Sequence, residues 1–267
     1  MFGRRPDATL VRDLSPMRRF MPFVSPRRNE SLVLFAQTID AEPGLAFVET
    51  LNASRPPERR ITYFHLLLRS VSVAIQERPR LNRFTAGGRL WQRNGVWLTF
   101  SAKRAFEDDA PILTVKRRFD GDVSLVQMVD DILDRLSAGR KGKRTQSDSE
   151  MDLLLRLPSP LIRVLMWLAR KADALGLYPL AMIDPDPLFT SVFIANLGSV
   201  GLGAGYHHLW EYGTCPIFGV LGRFAPGPDG RRSVEIKWSY DERIDDGFYA
   251  ASVLELIRHR LEHPEKL

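Results

Sequence analysis

The chain has a single cysteine, Cys215, among 267 residues. No disulfide can form within it, and a reducing compartment is expected. Metal-binding patterns are equally scarce. There is no C-x-x-C, and the five histidines are poorly placed for coordination. His259 and His263 have the H-x-x-x-H spacing, but Arg260 stands where a metalloprotease helix has its glutamate, and Pro264 closes the helix. His207-His208 with Glu211 is a thin donor set, so no metal is expected. The chain also lacks a run of about 18 apolar residues. The nearest approach, from Leu161 onward, is broken by Arg163, Arg170, Lys171 and Asp173. The opening Met-Phe-Gly-Arg-Arg-Pro-Asp has no apolar stretch of the kind a secretion signal needs. A cytoplasmic protein is therefore expected. The glycines from Gly198 to Gly205 lack the lysine of a phosphate-binding loop and follow no clear βαβ unit. Despite a net charge of +6, no nucleic-acid motif of recognisable spacing is present, and no nucleic-acid partner is expected.

What is present is an ordinary globular composition, with 44% apolar and 26% charged residues, enough to build a core without staples. A single domain over residues 1–267 is expected, with residues 1–12 as a loose arm. Asp13 to Phe20 reads as a helix start. Residues 31–39 are rich in β-branched and aromatic side chains and read as a strand, and residues 41–55 carry a helical pattern. Ile61 to Glu77 is the clearest helix, because Phe64, Leu67, Leu68, Val71 and Ile75 recur at steps of three and four. His65 within it reads as a hydrogen-bonded, half-buried residue. Residues 80–84 and 89–102 read as extended, joined by a turn at Gly87-Gly88. A strand at Ile112–Lys116 and an amphipathic helix at Ser124–Leu136 follow. Residues 138–150, with Arg140-Lys141-Gly142-Lys143-Arg144, have no apolar pattern and are expected to be a flexible basic loop. A short helical turn is expected at 151–157. Ser159-Pro160 then opens a helix to about Leu177. That helix is amphipathic and basic, and is expected to pack on its own domain or on a partner subunit; membrane contact is not expected. Strands at 189–197, 217–224 and 234–239 and a last helix at 247–261 complete the chain. Strands and helices mix without strict alternation, so the class is α+β with a mixed sheet.

Near the C-terminus the chain reads Tyr240-Asp241-Glu242-Arg243-Ile244-Asp245-Asp246-Gly247. This resembles the D-H-R-x-x-D-G motif of the 2-oxo acid dehydrogenase acyltransferase catalytic domain, with Glu242 where the family has histidine. Other segments support the resemblance in order. Ser15-Pro16-Met17-Arg18-Arg19 is similar to S-P-M-R-R, and Arg78-Pro79-Arg80-Leu81-Asn82 to H-P-x-L-N. Phe193 to Gly201 is similar to T-I-S-N-L-G-x-x-G, and Ile217 to Arg223 to the strand A-I-L-G-V-G. The resemblance runs from about residue 13 to the end and departs from the family over 138–188.

It implies a chloramphenicol acetyltransferase-like two-layer sandwich that forms homotrimers, or larger cages built from them, with active sites between subunits. It also implies coenzyme A or acyl-coenzyme A as substrate. The family's lipoyl and peripheral-subunit-binding domains have no counterpart in these residues, so a lipoyl-bearing or other acyl-carrier partner would act in trans. By resemblance, Glu242 holds the general-base position, and Ala195 stands where the S-N-L-G motif has its serine. Asn196, next to it, is a candidate site residue. Asp246 is expected to be buried and paired with Arg18 or Arg19, fixing the loop. A carboxylate of ordinary pKa, about 4.3, is a weak base for a thiol at about 8.5 unless burial raises it. His207 or His208 is the candidate replacement base. Two readings stay open: an acyltransferase with an altered site, and a catalytically inactive trimeric binding or scaffold module on the same fold.

Overall fold

The computed structural model describes residues 4–103, 112–119, 123–140, 154–227 and 229–267. Two sheets carry its strands. The larger has six, ordered β2-β9-β8-β7-β5-β6, with β2 Leu32–Asp40, β5 Val96–Lys103, β6 Ile112–Phe119, β7 Val192–Asn196, β8 Ile217–Pro226 and β9 Arg232–Asp241. Both pairings of β7, with β5 and with β8, are parallel; the others are antiparallel, so the sheet is mixed. The smaller sheet has β1 Ala8–Leu10, β3 Arg83–Ala86 and β4 Arg89–Arg93 in the order β1-β4-β3. The helices are α1 Pro16–Val24, α2 Glu42–Asn52, α3 Tyr63–Glu77, α4 Leu125–Arg140, α5 Ser159–Leu175, α6 Leu180–Ile183 and α7 Gly247–Glu262. This is the α+β class that the pattern predicts.

The main core lies between one face of the large sheet and the helices α3 and α7. Leu66, Leu67, Val71 and Ile75 from α3 and Val253, Ile257 and Leu261 from α7 pack against Ile194, Ile217, Ile236 and Trp238. The alternate residues Phe193, Phe218 and Val220 point to the opposite face, where they cluster with Leu209 and Cys215. Cys215 is fully buried, and burial pushes its thiol upward, which makes it a packing residue. α3 begins at Thr62, whose backbone N–H donates to His65 Nδ1 at 3.1 Å. The imidazole does the work that glutamate does in an ordinary capping box.

The structure revises three expectations. Residues 4–12 are tied down, not loose. β1 pairs with β4, and buried Arg5 donates to Asp7 at 2.8 Å and to Asp173 of α5 at 2.7 Å. The extended stretch 89–102 is two strands in different sheets, turned at Gly95, whose φ of +74° suits glycine alone. The helix expected to end at Leu136 continues to Arg140, and the rest of the expected basic loop, 141–150, lies outside the described residues. Of the expected turn at 151–157, residues 151–153 also lie outside them.

Candidate functional site

The segment after β9 is built around two buried carboxylates. Asp241, fully buried, accepts from Arg243 Nε and Nη2, both at 2.8 Å, and lies 3.7 Å from Arg28 Nε. Arg243 spends its remaining Nη1 donor on the carbonyls of Ser25 and Pro26, at 3.1 and 2.9 Å, so the loop is fastened to the end of α1. Arg28 is equally committed, donating to the carbonyls of Trp210 and Gly213. Its neighbour across the chain is Glu211. Burial alone would raise that carboxyl, but N–H donors from Arg28 and Asn29 outweigh it and hold the group below its ordinary value.

Asp245 is the second buried carboxylate. It accepts from Arg80 Nε and Nη2, both at 2.5 Å, and Arg83 Nη1 lies 3.7 Å away. Asp246 pairs with Arg18 as expected, Nη2 lying 3.9 Å from its Oδ2, but it is 56% exposed and not buried; its Oδ1 caps α7 by accepting from the Tyr249 N–H at 2.9 Å. Arg19 is exposed and forms no ion pair among the described residues. The physical reason is the geometry of a helix start. The residue at the cap must point along the helix axis at the free N–H groups, so the buried pairing falls to its neighbour.

Glu242 sits between these anchors. Its N–H donates to the Ser31 carbonyl at 2.9 Å, and its own carbonyl accepts from Arg18 Nη1 at 2.8 Å. The side chain is exposed, and its carboxylate makes no hydrogen bond or ion pair among the described residues. Arg243, which the sequence places next to it, is turned away to Asp241. Beside Arg18 an open groove of about 720 Å³ runs between α1 and β4. Arg12, Arg18, Arg19 and Arg89 line it over an apolar floor that includes Leu14, Phe20 and Phe23, and no carboxylate lines it.

The histidine pair lies on the outer face of the large sheet. His207 stacks on Phe218 at 4.1 Å and on His208 at 4.4 Å, and Phe218 stacks on Phe193 at 4.9 Å. His207 Nδ1 is 2.6 Å from the His208 carbonyl, so it carries the proton and Nε2 keeps the lone pair. Burial holds His207 below the usual imidazole value. Its N–H donates to Ser239 Oγ at 3.3 Å, three residues before Glu242 on β9 and so roughly 10 Å along the strand.

Asn196 ends β7; its Oδ1 accepts from the Ser199 N–H at 3.1 Å, and its Nδ2 has no partner among the described residues. Thr190 and Ser191 are fully buried and bonded to the backbone of Trp97, so neither is free to serve a ligand. His259 and His263 lie at the end of α7, away from the Asp241–Gly247 loop. No cluster of metal ligands occurs among the described residues. Asp245, Arg80 and the groove arginines Arg12 and Arg89 are the features that sequence reasoning missed. Only the adjacency of Asp245 to Asp246 hinted at the first.

No protein-family model matches the chain, and no curated protein matches it in sequence. Solved structures do. The truncated catalytic core of the 2-oxoacid dehydrogenase multienzyme complex from Thermoplasma acidophilum superposes with a TM-score of 0.62 at 15% identity, over 95% of this chain and 98% of that one. The dihydrolipoamide acetyltransferase of Azotobacter vinelandii gives 0.59 at 17% identity, over 94% and 92%. A serine, a histidine and an asparagine four positions after the histidine have been investigated in that enzyme's catalytic mechanism. A chloramphenicol acetyltransferase gives 0.58 at 10% identity, over 96% and 98%. The chain thus has the fold of the 2-oxo acid dehydrogenase acyltransferase cores and of chloramphenicol acetyltransferase.

Proposed function

We propose that the chain is a coenzyme A-dependent acyltransferase with an altered active site, working as a homotrimer whose second subunit closes over Glu242. The carrying observation is the way Glu242 is held: its backbone is clamped on both sides while its carboxylate stays free, beside a groove with arginines and no carboxylate. Glu242 and Asp246 are four positions apart, as are the histidine and asparagine of the Azotobacter enzyme. The groove chemistry fits a substrate with phosphate groups at one end and an apolar acyl arm at the other.

In the reaction, Glu242 takes the proton of an acceptor hydroxyl, amine or thiol as its heteroatom attacks the thioester carbonyl. The tetrahedral oxyanion then collapses, the carbon–sulfur bond breaks, and the leaving coenzyme A thiolate recovers the proton from Glu242. Closure by a second subunit would strip water from the carboxylate and make it a stronger base. The free Nδ2 of Asn196 supplies a donor for the oxyanion in place of the serine that Ala195 lacks. A lipoyl group or another carrier in trans would present the acceptor or donor.

The alternative, a catalytically inactive trimeric binding module, draws on one observation: Glu242 and the Ala195 position lack the family's proton acceptor and hydroxyl. Calorimetry with coenzyme A and acetyl-coenzyme A, followed by thiol release with a panel of acceptors, separates the readings. Micromolar binding, with turnover lowered roughly 10²–10⁴-fold by Glu242→Gln, supports the enzyme. Binding without turnover in wild type, and turnover gained by Glu242→His, supports the inactive module. No binding by either protein removes coenzyme A from consideration.

A further inference from the structure

Helix α5 has 17 residues, and none of them is buried. Ile162, Met166, Ala169 and Asp173, spaced at i, i+4, i+7 and i+11, form a half-buried face. Asp173 anchors it through the bond to Arg5. A second apolar stripe, Leu161, Val164, Leu165, Leu168 and Leu175, repeats at helical spacing on a different face and is exposed throughout, as are Trp167, Leu177, Leu180 and Met182. A soluble helix ordinarily turns its apolar stripe inward, so this one is amphipathic outward.

The charges choose the partner. From residue 154 to 183 the cations are Arg156, Arg163, Arg170 and Lys171, and the one carboxylate, Asp173, is already bound to Arg5. Arg156, Arg163 and Arg170 have no ion-pair partner among the described residues, and Lys171 lies 5.7 Å over the Trp167 ring. Two copies paired two-fold through this face would set these cations against themselves. An anionic lipid headgroup layer satisfies both the cations and the apolar stripe, with the tryptophan at the boundary.

We infer that α5 is a membrane-surface helix that lies flat on bilayers containing anionic phospholipid. It does not span them: among the described residues no helix is long and apolar enough to cross a membrane. The Leu, Val and Trp side chains enter the headgroup–acyl boundary, and Arg156, Arg163 and Lys171 pair with phosphates.

The test is co-sedimentation of the full chain with phosphatidylcholine–phosphatidylglycerol vesicles and with pure phosphatidylcholine vesicles, with tryptophan fluorescence read in parallel. Wild type should pellet with the anionic vesicles, with a blue-shifted emission. It should bind the neutral ones more weakly by about tenfold or more. Trp167→Ser with Leu168→Ser should abolish pelleting. Both side chains are exposed, so the circular dichroism spectrum should not change. Arg163→Glu with Lys171→Glu should remove the preference for anionic vesicles. The inference is overturned if wild type stays in the supernatant with both vesicle types, or if the serine variant still pellets. It is equally overturned if the serine variant changes only the mass measured by light scattering, which would make the face a contact between copies.

Discussion

Asp241 and Asp246 carry the same side chain five positions apart and have opposite surroundings. Asp241 neutralises two guanidinium groups, Arg243 and Arg28, whose side chains are 3% and 5% exposed. Asp241→Asn would leave that cluster with excess buried positive charge, and a loss of about 3–5 kcal/mol in urea unfolding is expected. Asp246→Ala removes only a helix cap, and about 1 kcal/mol should go. Equal losses in the two variants would contradict this account. The sequence motif pointed to the right loop but not to the right buried aspartate. An Asp-Asp pair is symmetric in sequence, and only the start of α7 decides which one faces its free N–H groups. Glu242 and Arg243 also diverge, since Arg243 turns inward to Asp241 while the Glu242 side chain is exposed.

At the level of elements, the long periodic segments were readable. α3, α4 and α7 lie within a few residues of where their apolar spacing puts them, because burying one stripe of a helix imprints a period on the sequence, and α5 starts where Ser159-Pro160 puts it. The break at Gly95 was readable in the turn dipeptide Asn94-Gly95 but was passed over, since residues on both sides have the same extended composition. The outward face of α5 was not readable, because periodicity shows that a stripe exists without showing which way it faces.

Two tests belong to elements. His65 is buried at the start of α3, and burial, aided by Arg55, pushes its imidazole down to about 4. The unfolded chain binds this proton near pH 6.5. Between pH 6.5 and 4 it therefore holds more proton than the folded chain, and stability falls with falling pH across that window. His65→Gln, which offers Thr62 an acceptor without the titration, should flatten the decline of melting temperature over that range relative to wild type. The second test is Gly219 in β8. A Cβ there would lie 2.5 Å from the Trp238 ring, so Gly219→Ala should cost about 1–3 kcal/mol by thermal melting.

At the scale of the molecule, the reading of Glu242 as a base depends on assembly. One protomer leaves that carboxylate open to water, and a catalytic carboxylate needs shelter. Light scattering should return three times the chain mass of 30.4 kDa, or a multiple of that trimer. A strictly monomeric species under all salt conditions would rule out the sheltered site. The expectation of a trimer comes only through the resemblance, since surface residues that await a partner look like any other exposed apolar residues.

The pairing of β2 with β9 has a consequence for how the chain comes into being. β2 spans Leu32–Asp40, and its strand neighbour among the described residues, β9, is Arg232–Asp241, so an edge made earlier waits for a segment far along the chain to emerge. Until then its backbone groups are open to any other extended segment. Such distant closures fold slowly, and a ribosome-bound or C-terminally shortened chain is a template for aggregation. Production of this protein is therefore expected to depend on chaperone capacity and on slow translation more than on the stability of the finished fold.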